Sequence, residues 1–163
     1  MVLVIGKTEG HIDQSLFARN ILDEKNGPPP EVNLFNEKNN GETLLKLIDS
    51  GLIKSAHDVS LGGIITAICK MCIKGNKGIN LKRNKYLINE IEYFFAEDQG
   101  RYLIEITKKD QNKVTDILNK NAVHFDELGV INEDLLYIND KTKVTIDELR
   151  TSNTSWLTNY MSK

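Results

Sequence analysis

Cysteine is nearly absent from this chain of 163 residues: Cys69 and Cys72 are the only two. That excludes the densely bridged scaffold a small secreted domain would use. The two form a Cys-x-x-Cys, but a zinc site needs two more ligands and no second such pair exists. The three histidines, His11, His57 and His124, show no paired spacing. Amid apolar neighbours the thiols read as inert, buried side chains, and no metal site is expected. An excess of one charge is missing too. Lys and Arg number 21 against 23 Asp and Glu, interleaved, for a net charge of -2. With no basic stripe there is no electrostatic footprint for nucleic acid. No apolar run is long enough to span a bilayer. The N-terminus lacks the basic start, long apolar region and cleavage site of a signal peptide, so a cytoplasmic location without a membrane partner is expected. Also missing are the phosphate-binding G-x-x-x-x-G-K-[ST], the nucleophile turn G-x-S-x-G and the zinc motif H-E-x-x-H. The chain assembles no complete catalytic constellation, and no catalytic residue is assigned.

What is present suits one globular domain. Hydrophobic residues make up 40% and charged residues 27%, a folded rather than disordered balance. Residues 2–5 read as a strand that begins at once after Met1. Such a start has the look of a fragment of a longer multidomain chain, although an ordinary N-terminal strand would look the same. Apolar spacing predicts a helix over 14–24, capped by Asp13, with Leu16, Phe17, Ile21 and Leu22 on one face. Asn26-Gly27 and the run Pro28-Pro29-Pro30 end it and enforce a rigid extended connection. A second helix is expected over 36–51, with Leu44, Leu45, Leu47 and Ile48 inward, Gly41 weakening its first half and Gly51 as its stop.

An extended piece follows at residues 55–61 and runs into Gly62-Gly63. The helix after it, about 62–74, is apolar nearly all round and should lie in the core or against a partner. Further expectations are a strand at 79–81, a helix over 84–95 and a half-buried strand at 101–107. Next come an amphipathic helix at 110–120 and strands near 122–131 and 135–139. A last helix starts near 146, in one or two pieces. This mixture reads as α+β, or as layers of helix and sheet.

Two segments can carry chemistry. In the first, His57, Asp58 and Ser60 precede the pair Gly62 and Gly63. Glycines opening a helix expose backbone N–H groups at the positive end of the helix dipole, and without Cβ atoms they let an anion approach. Ser60 can cap the helix, and His57 and Asp58 are acid–base capable. The alternative is that these residues only cap and pack. In the second, Glu97, Asp98, Gln99 and Arg101 sit between apolar residues and a strand. They can hold an ion, or form an internal polar network tying loop to strand. Adjacent strand side chains diverge, so the network is the better local reading.

The same segments carry a resemblance that runs along the whole chain. Residues 55–64 (SAHDVSLGGI) are similar to a family segment SAHDVSDGGL, and residues 95–102 (FAEDQGRY) to FGEDQ-[AG]-R-Y. The strand at 2–8 ending in IGKT, the loop GHIDQSL at 10–16, PPEVNL at 29–34, Asn40-Gly41 and the final WLTNYM at 156–161 fit the same pattern. The chain therefore resembles the C-terminal domain of the phosphoribosylformylglycinamidine synthase family, within the aminoimidazole ribonucleotide synthase superfamily. Two residues depart from the pattern. Leu61 stands where the family has Asp, and Ala96 stands where it has Gly, adding a Cβ where a tight curve would suit glycine.

The resemblance implies a layered α/β/α sandwich with a mixed sheet. It implies a parent ligase of purine biosynthesis that uses ATP with Mg²⁺ to activate the amide oxygen of formylglycinamide ribonucleotide. Ammonia from a glutaminase subunit then yields formylglycinamidine ribonucleotide. Most ligand-binding and catalytic residues of the family lie in preceding domains. This chain would supply one wall of a cleft between domains, bind neither ATP nor Mg²⁺ alone, and be inactive by itself. It would expose apolar surface, the helix at 62–74 being one candidate for self-association. Alternatives are the equivalent domain of a thiamine-monophosphate kinase, a selenophosphate synthetase or a hydrogenase-maturation factor, or a noncatalytic interaction module.

Overall fold

A computed structural model describes residues 1–82, 89–139 and 141–162. One mixed sheet of seven strands carries the molecule, in the order β2-β4-β1-β5-β3-β6-β7. The strands are β1 (Val2–Ile5), β2 (Ile53–Val59), β3 (Gly78–Leu81), β4 (Arg101–Ile106), β5 (Phe125–Asn132), β6 (Leu135–Ile138) and β7 (Thr142–Thr145). Every pairing is antiparallel except β3 with β6. The helices are α1 (Leu16–Asn20), α2 (Leu34–Asp49), α3 (Gly63–Gly75), α4 (Glu90–Phe95), α5 (Gln111–Lys120) and α6 (Ile146–Met161).

The layering follows from strand alternation. In β1 all four residues are buried, which requires cover on both faces. Val2 and Val4 join a core with Ile64, Ile68, Phe94 and Leu136, under α3, α4 and the start of α6. Leu3 and Ile5 join a second core with Leu44, Leu47, Val114 and Leu118, under α2 and α5. The expected α+β fold is thus an α/β/α sandwich built on a mixed sheet.

Several local expectations shift. No helix spans 14–24, because Gln14 and Asp23 take positive φ of 63° and 54°, a region closed to a continuing right-handed helix. Ser15, not Asp13, caps the five-residue α1. The side-chain amide of Gln14 instead donates to the carbonyls of Lys25 and Gly27 at 2.9 and 3.0 Å. Helix α2 starts two residues earlier than expected, with Asn33 as its cap. Gly41 does not interrupt it, and Leu45 and Ile48 face solvent while Asn40 and Thr43 are buried. Strand β7 was not expected; its Thr-Lys-Val-Thr alternates, but too briefly to stand out. Helix α6 is continuous. Of the helix expected at 84–95, residues 84–88 lie outside the described residues.

The exposed apolar surface is also not where expected. The outer side of α3 packs against α4 and α6. Large exposed apolar residues lie instead at Ile21, Leu22, Val32, Leu34 and Phe35, and along α6 at Trp156, Leu157, Tyr160 and Met161.

Candidate functional site

The register of two neighbouring strands brings the two singled-out segments together. β2 is an edge strand on β4, with Asp58 opposite Tyr102 and Val59 opposite Arg101. The chain leaving β2 therefore emerges beside the chain entering β4. After Ser60 and Leu61 it turns through Gly62 and Gly63, at φ of +82° and +68°. A Cβ on Gly63 would stand 2.6 Å from the carbonyl oxygen of Ala96 and 2.7 Å from that of Phe94. Glycine is required here by both conformation and contact. Ala96 itself has φ -60° and ψ 147°, ordinary extended backbone. That backbone needs no glycine at position 96, whereas Gly63 does, because it approaches the carbonyls of residues 94 and 96 at positive φ.

Glu97 joins the two segments. One of its oxygens, Oε1, accepts from the backbone N–H of Gly62 at 2.8 Å and from that of Leu16 at 2.7 Å. The anion at the positive end of α3 is thus a carboxylate of the chain itself, and the same oxygen serves the first turn of α1. The neighbouring Asp98 gathers the loop after β1. Its Oδ2 accepts from the amides of Glu9 and Gly10 at 3.1 and 3.2 Å, and its Oδ1 from that of His11 at 3.1 Å. Arg101 is fully buried behind them. It donates to the carbonyls of Asp98 and Ala96 and to Thr8 Oγ1, at 3.1, 2.7 and 3.0 Å. Burial draws its pKa down, and the Asp98 carboxylate opposes that shift; an arginine remains charged under such a pull.

These three side chains are spent on internal ties. Gln99 is different: it is exposed and, among the described residues, its amide makes no hydrogen bond. It sits on the ridge between two depressions, which also share Pro30. The smaller, about 210 Å³, is lined by Asp13, Gln14, Ser60, Leu61 and Glu97. The larger, about 680 Å³ and polar, is lined by Lys7, His11, Asn33, Asn36 and His124 among others. The chemical reading of the sequence did not single out this second group. Its signal was the glycine-bounded loop 6–10, where Gly6 and Gly10 both take φ of +89°.

The remaining candidates separate. Strand alternation turns His57 toward α3, where it lines a third cavity away from Gln99. Its Nδ1 lies 2.6 Å from the Asp58 carbonyl oxygen and 3.3 Å from Asp58 Oδ1. Asp58 is solvent-exposed on the edge strand. Neither lines the depression beside Ser60 and Leu61, so they do not form an acid–base pair facing it. Ser60 does not cap α3: the cap position is Gly62, without a side-chain bond, and the Ser60 carbonyl accepts from the Gly63 amide at 3.0 Å. Burial pushes the Cys69 thiol up to about 11 and that of Cys72 up to about 12, so both are neutral apolar fillers.

A divalent cation does not fit these residues. The Asp98 carboxylate is saturated by three amides and the nearby guanidinium, at 3.6 Å. Among the described residues no three of His, Cys, Asp and Glu converge on one point. The glycine pair does not fit a phosphate either, since Glu97 already holds the Gly62 amide.

Comparison with known proteins agrees with this architecture. Residues 1–138 match the family model described as AIR synthase related protein, C-terminal domain. Over 161 residues the chain is 72% identical to "Phosphoribosylformylglycinamidine synthase subunit PurL" of Pelagibacter ubique (strain HTCC1062), covering 99% of this chain and 22% of that protein. The protein of the same name from Bartonella bacilliformis is 35% identical over 161 residues, with the same coverage. The chain thus spans about a fifth of the length of the curated relatives it matches. Among solved structures, "T. maritima PurL complexed with FGAR" superposes with a TM-score of 0.75 at 20% identity, over 91% of this chain and 27% of that one. At that identity the likeness speaks for the fold. By sequence and by architecture, the chain belongs to the AIR synthase related protein, C-terminal domain family.

Proposed function

We propose that this chain is the C-terminal domain of a phosphoribosylformylglycinamidine synthase and lines one side of its ligand cleft. The parent is then the ATP-dependent ligase that converts formylglycinamide ribonucleotide to formylglycinamidine ribonucleotide in purine biosynthesis. The 72% identity to a PurL subunit over 99% of this chain supports that reading. A thiamine-monophosphate kinase or selenophosphate synthetase origin is not favoured, because relatives 72%, 35% and 35% identical to the chain over 161 or 162 aligned residues carry the PurL name. The observation that carries the role is the Glu97 tie, which fixes two loops side by side and leaves Gln99 free at the lip of two adjoining depressions.

In this arrangement the chain orients ligand and excludes water from one side. Gln99 offers an amide donor and acceptor, and Asn36 and His11 offer further polar contacts in the larger depression. ATP supplies the phosphoryl group that activates the amide oxygen. The carboxylates that hold Mg²⁺ come from the preceding domains of the parent, since Glu97 and Asp98 are committed to backbone amides and, among the described residues, no three of His, Cys, Asp and Glu converge. The ammonia arrives from a glutaminase subunit. The parent works in the cytoplasm; among the described residues no helix is long and apolar enough to cross a membrane.

The test is a domain exchange. The chain is substituted for the matching segment of the Pelagibacter ubique PurL subunit, and ATP- and ammonia-dependent turnover is measured. The hybrid is expected to retain turnover and the lone chain to have none. Gln99→Ala in the hybrid is expected to raise KM for the ribonucleotide about 3- to 30-fold, the loss of one polar contact. A folded hybrid without turnover, or a lone chain with turnover, would overturn the reading.

A further inference from the structure

The third cavity lies under the C-terminal half of α3, at the end of that helix away from Glu97. Its volume is about 570 Å³, within the range of roughly 300–1,000 Å³ that small-molecule sites occupy. Val2, Ile79 and Ile131 from three strands form its floor, and Ile68, Met71 and Cys72 from α3 form its roof. The space stays open where Gly75 ends α3, since a Cβ there would meet nothing within 4 Å. With its pKa near 12, the Cys72 thiol contributes an uncharged wall.

The mouth has the opposite character. Lys70, Lys74 and Lys77 all line the cavity. Among the described residues none of the three has a carboxylate within ion-pair distance. The one carboxylate in the lining, Glu105, accepts from Ser55 Oγ at 2.8 Å. Three cations around a hole with low-dielectric walls focus a positive field at its opening. An apolar body gains by entering such a hole, and an anionic head gains by remaining at its rim.

We propose that this cavity binds a small amphipathic carboxylate, its hydrocarbon body against Met71 and Ile131 and its carboxylate among Lys70, Lys74 and Lys77. The site is separate from the Gln99 depressions and its existence does not depend on the parent reaction.

Decanoate is the probe. The chain has three methionines, Met1, Met71 and Met161. With their methyl groups labelled with ¹³C, Met71→Leu assigns the reporting signal. Decanoate is expected to shift the Met71 methyl saturably and to leave Met161, on exposed α6, unmoved. Decyl alcohol, of the same length without the charge, should bind about tenfold more weakly, as should decanoate to the Lys70→Glu/Lys74→Glu variant. The alcohol arm needs no variant, so it decides the matter even if the double substitution disturbs folding. A Met71 methyl that ignores millimolar decanoate would overturn the proposal. So would equal affinity for acid and alcohol, or a Met161 signal that moves in step with Met71.

Discussion

Glu97 does the work of a helix cap for two helices at once. Removing its carboxylate strands the amides of Leu16 and Gly62 together. Glu97→Ala is therefore expected to lower the unfolding free energy by about 2–4 kcal/mol, and Glu97→Gln, which keeps an oxygen acceptor, by about 1 kcal/mol. Urea denaturation of the two variants checks the order; equal losses would refute it. Asp98→Asn should cost a similar 2–4 kcal/mol, because it sets an NH₂ group against amides that already donate. The thiols give a pH dependence. Both are raised from an ordinary 9.0, Cys69 to about 11 and Cys72 to about 12, chiefly by burial. The unfolded chain therefore loses these protons first. Stability is full below pH 9 and falls as pH climbs toward 11–12, a loss that Cys→Ala substitution at both positions should blunt. At this scale the sequence was informative about residue type. Glu-Asp-Gln-Gly-Arg before a strand announced an internal polar network, but not which loops it holds, because Glu9, Gly10, His11 and Leu16 contribute only their backbone.

For the elements, two glycines make a paired test. Gly63 starts α3 against the backbone of residues 94–96 with φ +68°. Gly63→Ala should cost about 3 kcal/mol or more, or prevent folding. Gly41 lies inside α2, and the nearest atom to a Cβ there is the Tyr102 hydroxyl at 3.5 Å. Gly41→Ala should instead stabilise by about 0.5–1 kcal/mol. Thermal unfolding of both variants gives shifts of opposite sign. Sequence periodicity located α3, α5, β1 and β4 within a residue or two, because each has a full apolar face or alternation. It misjudged α1, where a run of apolar residues suggested two more turns than Gln14 and Asp23 permit. A side-chain amide bonding to carbonyls 11 and 13 residues away leaves no periodic trace.

Across the whole molecule, layers of helix and sheet were legible from the mixture of helical and alternating segments, whereas the strand order was not. Pairings such as β1 with β4 and β5 join segments about a hundred residues apart, with no local signature. Leu34, Phe35 and Trp156 are large apolar side chains left exposed, and such surface favours association. The free chain should therefore associate reversibly, and Phe35→Glu or Trp156→Glu should shift it toward monomer in sedimentation velocity. A sedimentation coefficient that stays constant across dilution for the unsubstituted chain would contradict this. The shared oxygen of Glu97 has a last consequence for how the molecule breathes. The protons of the Leu16 and Gly62 amides are released to solvent by the same opening event, so their deuterium uptake should keep a common rate as denaturant is added, although 46 positions separate them.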